Sequence, residues 1–315
     1  MNDVHAIGIV GAGLMGTGIA EVAAAAGFQT VLVKATPGFP DDAKRRIEKS
    51  LDRAVERTKL TPEARDATLG RITFTTEREA LEKSDLIIES IVEDLPSKRA
   101  LFAALDRVVT PRAIFASNTS TLRITDIAKG CGREDRTIGL HFFSPVPAMQ
   151  LVELAYTQVT CPSVAKKAGE FVAKLGKTAV PVLDSTGFVV NRLLVPYLIG
   201  AISAYEQGLA RPEEIDTAMR LGCGHPVGPL ALSDLIGLDI VYAMAKLLFA
   251  DFRDQRYRPP ALLRRLVMQN RLGKKTLRGI YDYTASPPKA DEELWQLVRG
   301  GAFLTSEETA EEDAA

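Results

Sequence analysis

Through the first half of the chain, short apolar runs alternate with longer stretches of helical period. The runs at 6–10 (AIGIV), 30–33 (TVLV), 71–74 (RITF), 85–90 (DLIIES), 113–117 (AIFAS) and 137–142 (TIGLHF) read as strands. The stretches at 18–27 and 96–109 read as helices, the first rich in alanine and ending on Gly27. Strand and helix in alternation predict a parallel sheet with helices on both faces. Near residue 150 the pattern changes, and strands at 150–156 and 178–183 flank one helix. Beyond DSTGFVVNRL (184–193) no further strand is predicted; helical patterns occupy 188–208, 212–221, 234–249 and 259–270.

One insertion interrupts the alternation. The residues DDAKRRIEKSLDRAVERTKLTPEARDATLG predict two helices, broken before Pro62 with Thr61 as cap. Arg46, Lys49, Arg53 and Arg57 fall on one face of the first. That stripe is either a solvated face paired with Glu48, Asp52 and Glu56 or a landing strip for a phosphorylated ligand.

The chain has 315 residues, enough for two domains, with 46% hydrophobic and 25% charged residues. A formal net charge of −1 argues against a general affinity for nucleic acid or anionic membrane, so an anionic ligand needs a local cluster. The three cysteines, Cys131, Cys161 and Cys223, lie far apart and without CxxC spacing. No metal site or disulfide framework is expected, and the expected location is the cytoplasm. The first residues lack the basic start and apolar run of a signal peptide, and no uncharged stretch reaches membrane-spanning length.

The segment GAGLMG carries Gly11, Gly13 and Gly16 in GxGxxG spacing, with Leu14 and Met15 between the second and third. It follows a strand and opens a helix, the context in which this spacing binds a dinucleotide pyrophosphate. The fold class is therefore α/β: a Rossmann-type nucleotide-binding domain over 1–186, with a helical-hairpin insertion at about 41–69. An all-α domain is expected over 187–286, then a polar extension over 287–315, acidic and disordered at its end.

Of three histidines, His5 precedes the first strand, His225 sits in a Gly/Pro loop, and His141 ends an apolar strand. Pro145 and Pro147 mark a reversal after His141, and Glu153 lies as far beyond Pro147 as His141 lies before it. A fold back about Pro147 brings the two side chains opposite each other. A carboxylate on one imidazole nitrogen fixes the tautomer and raises the basicity of the other. Beside a dinucleotide site, such a pair suggests proton removal from an alcohol while hydride leaves. In FASNTST (115–121) Ser117, Asn118, Thr119, Ser120 and Thr121 offer polar groups at a strand end, one of them a cap for the next helix. Asn191 sits within an apolar helical run, where it needs a partner, and the cleft between the domains is one place to find it.

With these residues assembled, the chain resembles the L-3-hydroxyacyl-CoA dehydrogenase family, which includes 3-hydroxybutyryl-CoA dehydrogenases. The likeness runs through IGIVGAGLMGTGIA, IIESIVEDLPSKRALF, SNTST, HFFSPVPAMQLVEL, DSTGFVVNRLL, GHPVGPLALSDLIGLD and GKKTLRGIYDY, from residue 5 to residue 284. It implies reversible oxidation of an L-3-hydroxyacyl-CoA by a nicotinamide cofactor, and a dimer joined through the helical domain. It further implies that His141 is the acid/base with Glu153 as its partner, and that Ser120 and Asn191 hold the substrate oxygen. Glu93, Lys98 and Asn118 match cofactor-side positions; Ser50 and Arg57 match coenzyme A contacts. The rival readings are a dehydrogenase of this scaffold acting on a non-thioester hydroxy acid, and a non-catalytic relative.

Three positions depart from the family pattern. Leu277 and Ile280 stand where glycine and phenylalanine are common. Lys34 stands where strand two usually ends in aspartate. An acid there accepts hydrogen bonds from the adenosine ribose and repels a 2′-phosphate; lysine removes both effects. With Thr36 nearby as a further phosphate ligand, the cofactor is NAD or NADP.

Overall fold

The computed structural model describes residues 4–301. They form two compact units, divided between Phe188 and Val189.

In the first unit the elements run β1 (Ala6–Val10), α1 (Leu14–Ala25), β2 (Gln29–Val33), α2 (Asp41–Glu56), α3 (Pro62–Gly70) and β3 (Ile72–Thr75). There follow β4 (Leu86–Glu89), α4 (Leu95–Leu105), β5 (Ile114–Ser117), α5 (Ile124–Ala128), β6 (Thr137–Phe142), β7 (Leu151–Tyr156), α6 (Pro162–Lys174) and β8 (Thr178–Leu183). All eight strands make one sheet in the order β3-β2-β1-β4-β5-β6-β7-β8. The first six follow the doubly wound order in which the strand sequence reverses beside β1. Every neighbouring pair is parallel except β6–β7. Apolar residues of β1, β4 and β5 are buried on both faces, as Ile7, Ile9, Ile87, Ile88 and Phe115 show.

The helix predicted at 18–27 starts four residues earlier and stops at Ala25, with Gly27 beyond it at φ +96°. The insertion is the expected helical pair. Ala43, Ile47 and Leu51 of α2, spaced four apart, are buried in the core that also holds α1. Thr61 caps α3 by accepting the Ala64 N–H at 3.2 Å.

The second unit contains α7 (Val190–Glu206), α8 (Pro212–Cys223), α9 (Pro229–Ile236), α10 (Leu238–Phe252) and α11 (Ala261–Met268). The helix expected at 234–249 is two helices, broken at Gly237, which has φ +109°. Pro229 opens α9, and buried Asp216 of α8 caps it, accepting the Leu230 and Ala231 N–H groups at 2.8 and 2.9 Å. Asp234 of α9 accepts the N–H groups of Ile280 and Tyr281 at 3.0 and 2.9 Å. Burial pushes its carboxyl up to about 6, against hydrogen bonds that pull it down.

Strands are not absent after residue 187: β9 (Tyr281–Asp282) and β10 (Lys289–Ala290) pair antiparallel. Nor is the stretch from 287 only a polar extension. It carries α12 (Glu292–Arg299), whose Leu294, Trp295 and Val298 enter the second core. The acidic end expected to be disordered lies outside the described residues. Leu277 has φ +59°, the left-handed conformation that glycine adopts without strain, and Ile280 is fully buried. Among the described residues, no helix is long and apolar enough to cross a membrane.

Candidate active site

The carboxyl ends of β1, β4, β5 and β6 lie along one edge of the first unit's sheet, and each delivers part of the site. Open α/β sheets bind ligands at this edge.

After β1 comes the glycine turn, and its three glycines answer different demands. A Cβ at Gly11 would lie 2.2 Å from the Ser90 carbonyl oxygen, and one at Gly16 would lie 1.8 Å from that of Gly11. Packing within the protein forbids both. At Gly13 a Cβ meets nothing within 4 Å. Its missing side chain serves no protein neighbour and leaves room for an incoming group. Gly13 is also the N-cap of α1, and no side chain caps that helix. The first-turn N–H groups, at Leu14, Met15 and Gly16, therefore lack a side-chain acceptor, as an anion-binding helix end requires. These features fit a dinucleotide pyrophosphate.

At the end of β4 stands Glu89, fully buried and absent from the sequence reading. One carboxylate oxygen accepts from Lys98 Nζ at 2.6 Å and the Ile91 N–H at 2.7 Å; the other accepts from Ser117 Oγ at 2.6 Å. Lys98, equally buried, lies 3.3 Å from Glu93 Oε2. A charge buried in this way persists only when paired and hydrogen-bonded. Glu93 Oε1 accepts from Thr119 Oγ1 (2.6 Å), Thr121 Oγ1 (2.9 Å) and the Ser120 and Thr121 N–H groups (3.0 and 3.1 Å). Burial alone would raise the Glu93 carboxyl. The Lys98 ammonium and these hydrogen bonds outweigh it and hold the group below the ordinary glutamate range.

This network sorts the polar run after β5. Ser117, Thr119 and Thr121 turn inward to the two glutamates. None of the five residues caps the next helix: Asp184 does, accepting the Ile124 and Thr125 N–H groups at 2.6 and 2.8 Å. Ser120 is half-buried. Asn118 accepts the Phe142 N–H through Oδ1 at 2.8 Å, which ties the β5 turn to the residue beside His141.

At the end of β6, His141 sits opposite Glu153 in the antiparallel ladder. His141 Nδ1 donates to Glu153 Oε2 at 2.7 Å, and both residues are buried. Phe143 and Phe188 flank the imidazole, with ring centroids 4.4 and 5.7 Å away. Among the described residues Nε2 has no hydrogen-bond partner, and it is not among the sealed polar atoms. The imidazole thus has one nitrogen held by a carboxylate and one left for a ligand. His225, by contrast, hydrogen-bonds the Tyr197 hydroxyl at 2.7 Å in the second unit, and His5 is exposed.

On the insertion, Ser50 Oγ donates to Glu21 Oε1 at 2.9 Å. Burial pushes the Glu21 carboxyl up, and the Ser50 hydrogen bond opposes this. The stripe on α2 is not a face of internal ion pairs. Asp52 is taken by Arg65 of α3 at 3.0 Å, and among the described residues Lys49, Arg53 and Arg57 have no carboxylate within ion-pair distance. Lys34 Nζ donates to the Phe39 carbonyl at 3.3 Å, and Thr36 is exposed. Asn191 belongs to the second unit, buried in the first turn of α7. The structure thus gathers the glycine turn, Glu93, Lys98, Asn118, Ser120, His141 and Glu153 on one unit, and adds Glu89, which the sequence signals only as an acid ending an apolar strand.

Comparison with known proteins bears on this arrangement. Residues 6–185 match the family model described as 3-hydroxyacyl-CoA dehydrogenase, NAD binding domain, and residues 187–283 match that family's C-terminal domain. A Mycobacterium tuberculosis 3-hydroxybutyryl-CoA dehydrogenase is 47% identical over 286 residues, covering 90% of this chain and 100% of that one. The human mitochondrial hydroxyacyl-coenzyme A dehydrogenase is 44% identical, covering 89% of this chain and 91% of its own. The crystal structure of (S)-3-hydroxybutyryl-CoA dehydrogenase from Ralstonia eutropha superposes with a TM-score of 0.87 at 41% identity, covering 89% and 99% of the two chains. The glycine turn, the histidine–glutamate ladder pair and both matching domains make this chain a member of the 3-hydroxyacyl-CoA dehydrogenase family, an oxidoreductase with that family's NAD-binding domain.

Proposed function

We propose that the chain catalyses reversible oxidation of an L-3-hydroxyacyl-CoA to the 3-ketoacyl-CoA, with His141 as general acid/base. The supporting observation is the imidazole whose Nδ1 donates to Glu153 at 2.7 Å while Nε2 has no partner among the described residues. When bound, the nicotinamide dinucleotide supplies the two-electron acceptor for the C3 hydride. His141 Nε2 takes the hydroxyl proton as the carbonyl forms, and Glu153 stabilises the resulting imidazolium. In reduction the imidazolium returns that proton to the oxygen.

Ser120 is the hydroxyl proposed to steady the substrate oxygen, and Asn191 is assigned the same task by family likeness. The Glu89–Lys98–Glu93 network fixes the backbone on which Asn118 and Ser120 stand. Gly11, Gly13, Leu14, Met15 and Gly16 hold the pyrophosphate, with Glu93 and Asn118 on the nicotinamide side and Lys34 and Thr36 at the adenosine end. Coenzyme A lies along α2, contacted by Ser50 and Arg57; Lys49 and Arg53, which pair with no carboxylate of the described residues, suit its phosphates. The hydroxybutyryl-CoA dehydrogenases among its relatives favour a short hydroxybutyryl chain. A cytoplasmic homodimer joined through the helical unit, serving fatty acid metabolism, completes the proposal from family likeness.

The test is the absorbance change at 340 nm with acetoacetyl-CoA and a reduced dinucleotide, repeated with free acetoacetate. The thioester should turn over at least ~10²-fold more efficiently, because uniform binding energy from the carrier raises kcat/KM. Equal rates would transfer the chain to the non-thioester reading, and no turnover of either would leave only a binding protein.

A further inference from the structure

The adenosine corner carries two cations that no carboxylate of the described residues neutralises. The first is Lys34, directly after β2. Its backbone N–H donates to the Thr75 carbonyl at 2.9 Å, so its position is fixed by the sheet. Its ammonium folds over the loop 34–40 and donates to the Phe39 carbonyl. The second is Arg46, on α2, whose Nη1 donates to the Ala12 carbonyl at 3.4 Å. Ala12 lies inside the glycine turn. The neighbouring Gly11 N–H donates to the Val33 carbonyl at 2.9 Å, one residue before Lys34. Arg46 thus reaches the β1 turn, and Lys34 leaves the sheet beside that turn, at the corner where the adenosine ribose of a dinucleotide lies.

The acids on the elements around this corner are Asp41 and Asp42 in the first turn of α2 and Glu77 after β3. Asp42 is paired with Arg45, and Glu77 accepts from Thr76 Oγ1 at 3.2 Å. Among the described residues neither Lys34 nor Arg46 has a carboxylate within ion-pair distance. Both hold only backbone carbonyls, the weak neutral acceptors that an anionic ligand displaces. Asp41 and Asp42 in the first turn offset the positive end of α2, so the attraction for an anion comes from the two side chains.

We propose that Lys34 and Arg46 form a 2′-phosphate site, so that NADP(H) binds this chain more tightly than NAD(H). The inference rests on the dinucleotide reading of the glycine turn and extends it to a choice of cofactor. Lys34 supplies the point charge, Arg46 the planar donor, and Thr36 on the same loop a hydroxyl.

Calorimetric titration of the full chain with NADPH and NADH tests this without any turnover. NADPH should bind about tenfold tighter. A preference of threefold or more supports the site, and anything less overturns it. Lys34→Asp should abolish the preference, and Arg46→Ala should weaken NADPH about fivefold more than NADH. A preference that survives both substitutions places the phosphate elsewhere and also overturns the assignment. Acetoacetyl-CoA turnover, measured in parallel, separates the two claims. Turnover with no preference for NADPH sinks only the phosphate site; an NADPH preference without turnover sinks only the reaction.

Discussion

The two units each bury acids, and they use them differently. In the second unit Asp216 and Asp234 are satisfied by the protein itself. Asp216 takes two helix-end N–H groups and the Tyr281 hydroxyl, and Asp234 takes the N–H groups of Ile280 and Tyr281. They pin α8, α9 and the 280s together. In the first unit Glu153 holds an imidazole whose other nitrogen has no partner among the described residues, and Glu93 holds a loop whose Ser120 is only half-buried. A buried carboxylate is thus not a mark of a site. What marks one is the imidazole nitrogen that, among the described residues, no protein group holds.

The comparison breaks most sharply at His141. His141→Gln should lower kcat by roughly 10²- to 10⁴-fold with little change in Tm, since the amide keeps a donor for Glu153. Turnover near that of the parent would make this pair as structural as those of the second unit. Lys98→Met asks whether the first unit's network also carries stability. It leaves Glu89 buried without its counter-charge and should cost about 3–5 kcal/mol in denaturant unfolding. A loss under 1 kcal/mol would show that water reaches Glu89.

Asp234 gives a pH signature. Its carboxyl titrates at about 6 folded against an ordinary 3.8, so the folded state holds its proton more tightly. Its contribution is most favourable below the ordinary value and is lost as pH rises through about 6, at most about 3 kcal/mol. Asp234→Asn should flatten that part of the stability–pH curve relative to the parent, while the pH profile of kcat stays put; matching curves would refute the burial argument. The smallest effect is expected at Leu277. Glycine relieves its left-handed backbone, and Leu277→Gly should stabilise by about 1 kcal/mol, read as a rise in unfolding midpoint without a change in kcat.

The sheet was legible because its strands are apolar runs bounded by turns, and the ladder pair because His141 and Glu153 are symmetric about Pro147. What was hidden was hidden by local composition. The segment GHPVGP reads as a loop, yet Pro229 opens α9, whose cap comes from Asp216, a residue distant in sequence. The charged residues of 287–301 mask Leu294, Trp295 and Val298, which only a tertiary partner makes meaningful. Glu89 looks like any acid ending a strand, because Lys98 and Ser117 meet it only in three dimensions. Arg46 looks like part of a solvated stripe, because the carbonyl it reaches lies 34 residues away.

The one antiparallel pairing in the large sheet has a practical corollary. Because His141 and Glu153 face each other across β6 and β7, their alignment belongs to the ladder and not to the connection between the strands. The connection has duties of its own: Phe143 flanks the imidazole, Val146 is buried in the core, and the Val146 and Met149 carbonyls accept from Lys177 Nζ at 2.7 and 2.6 Å. A slip of a single residue would point the acid to the opposite side of the sheet and turn Val152 and Leu154 out of the core with it, so the register that aligns the pair is the one that packs the strand.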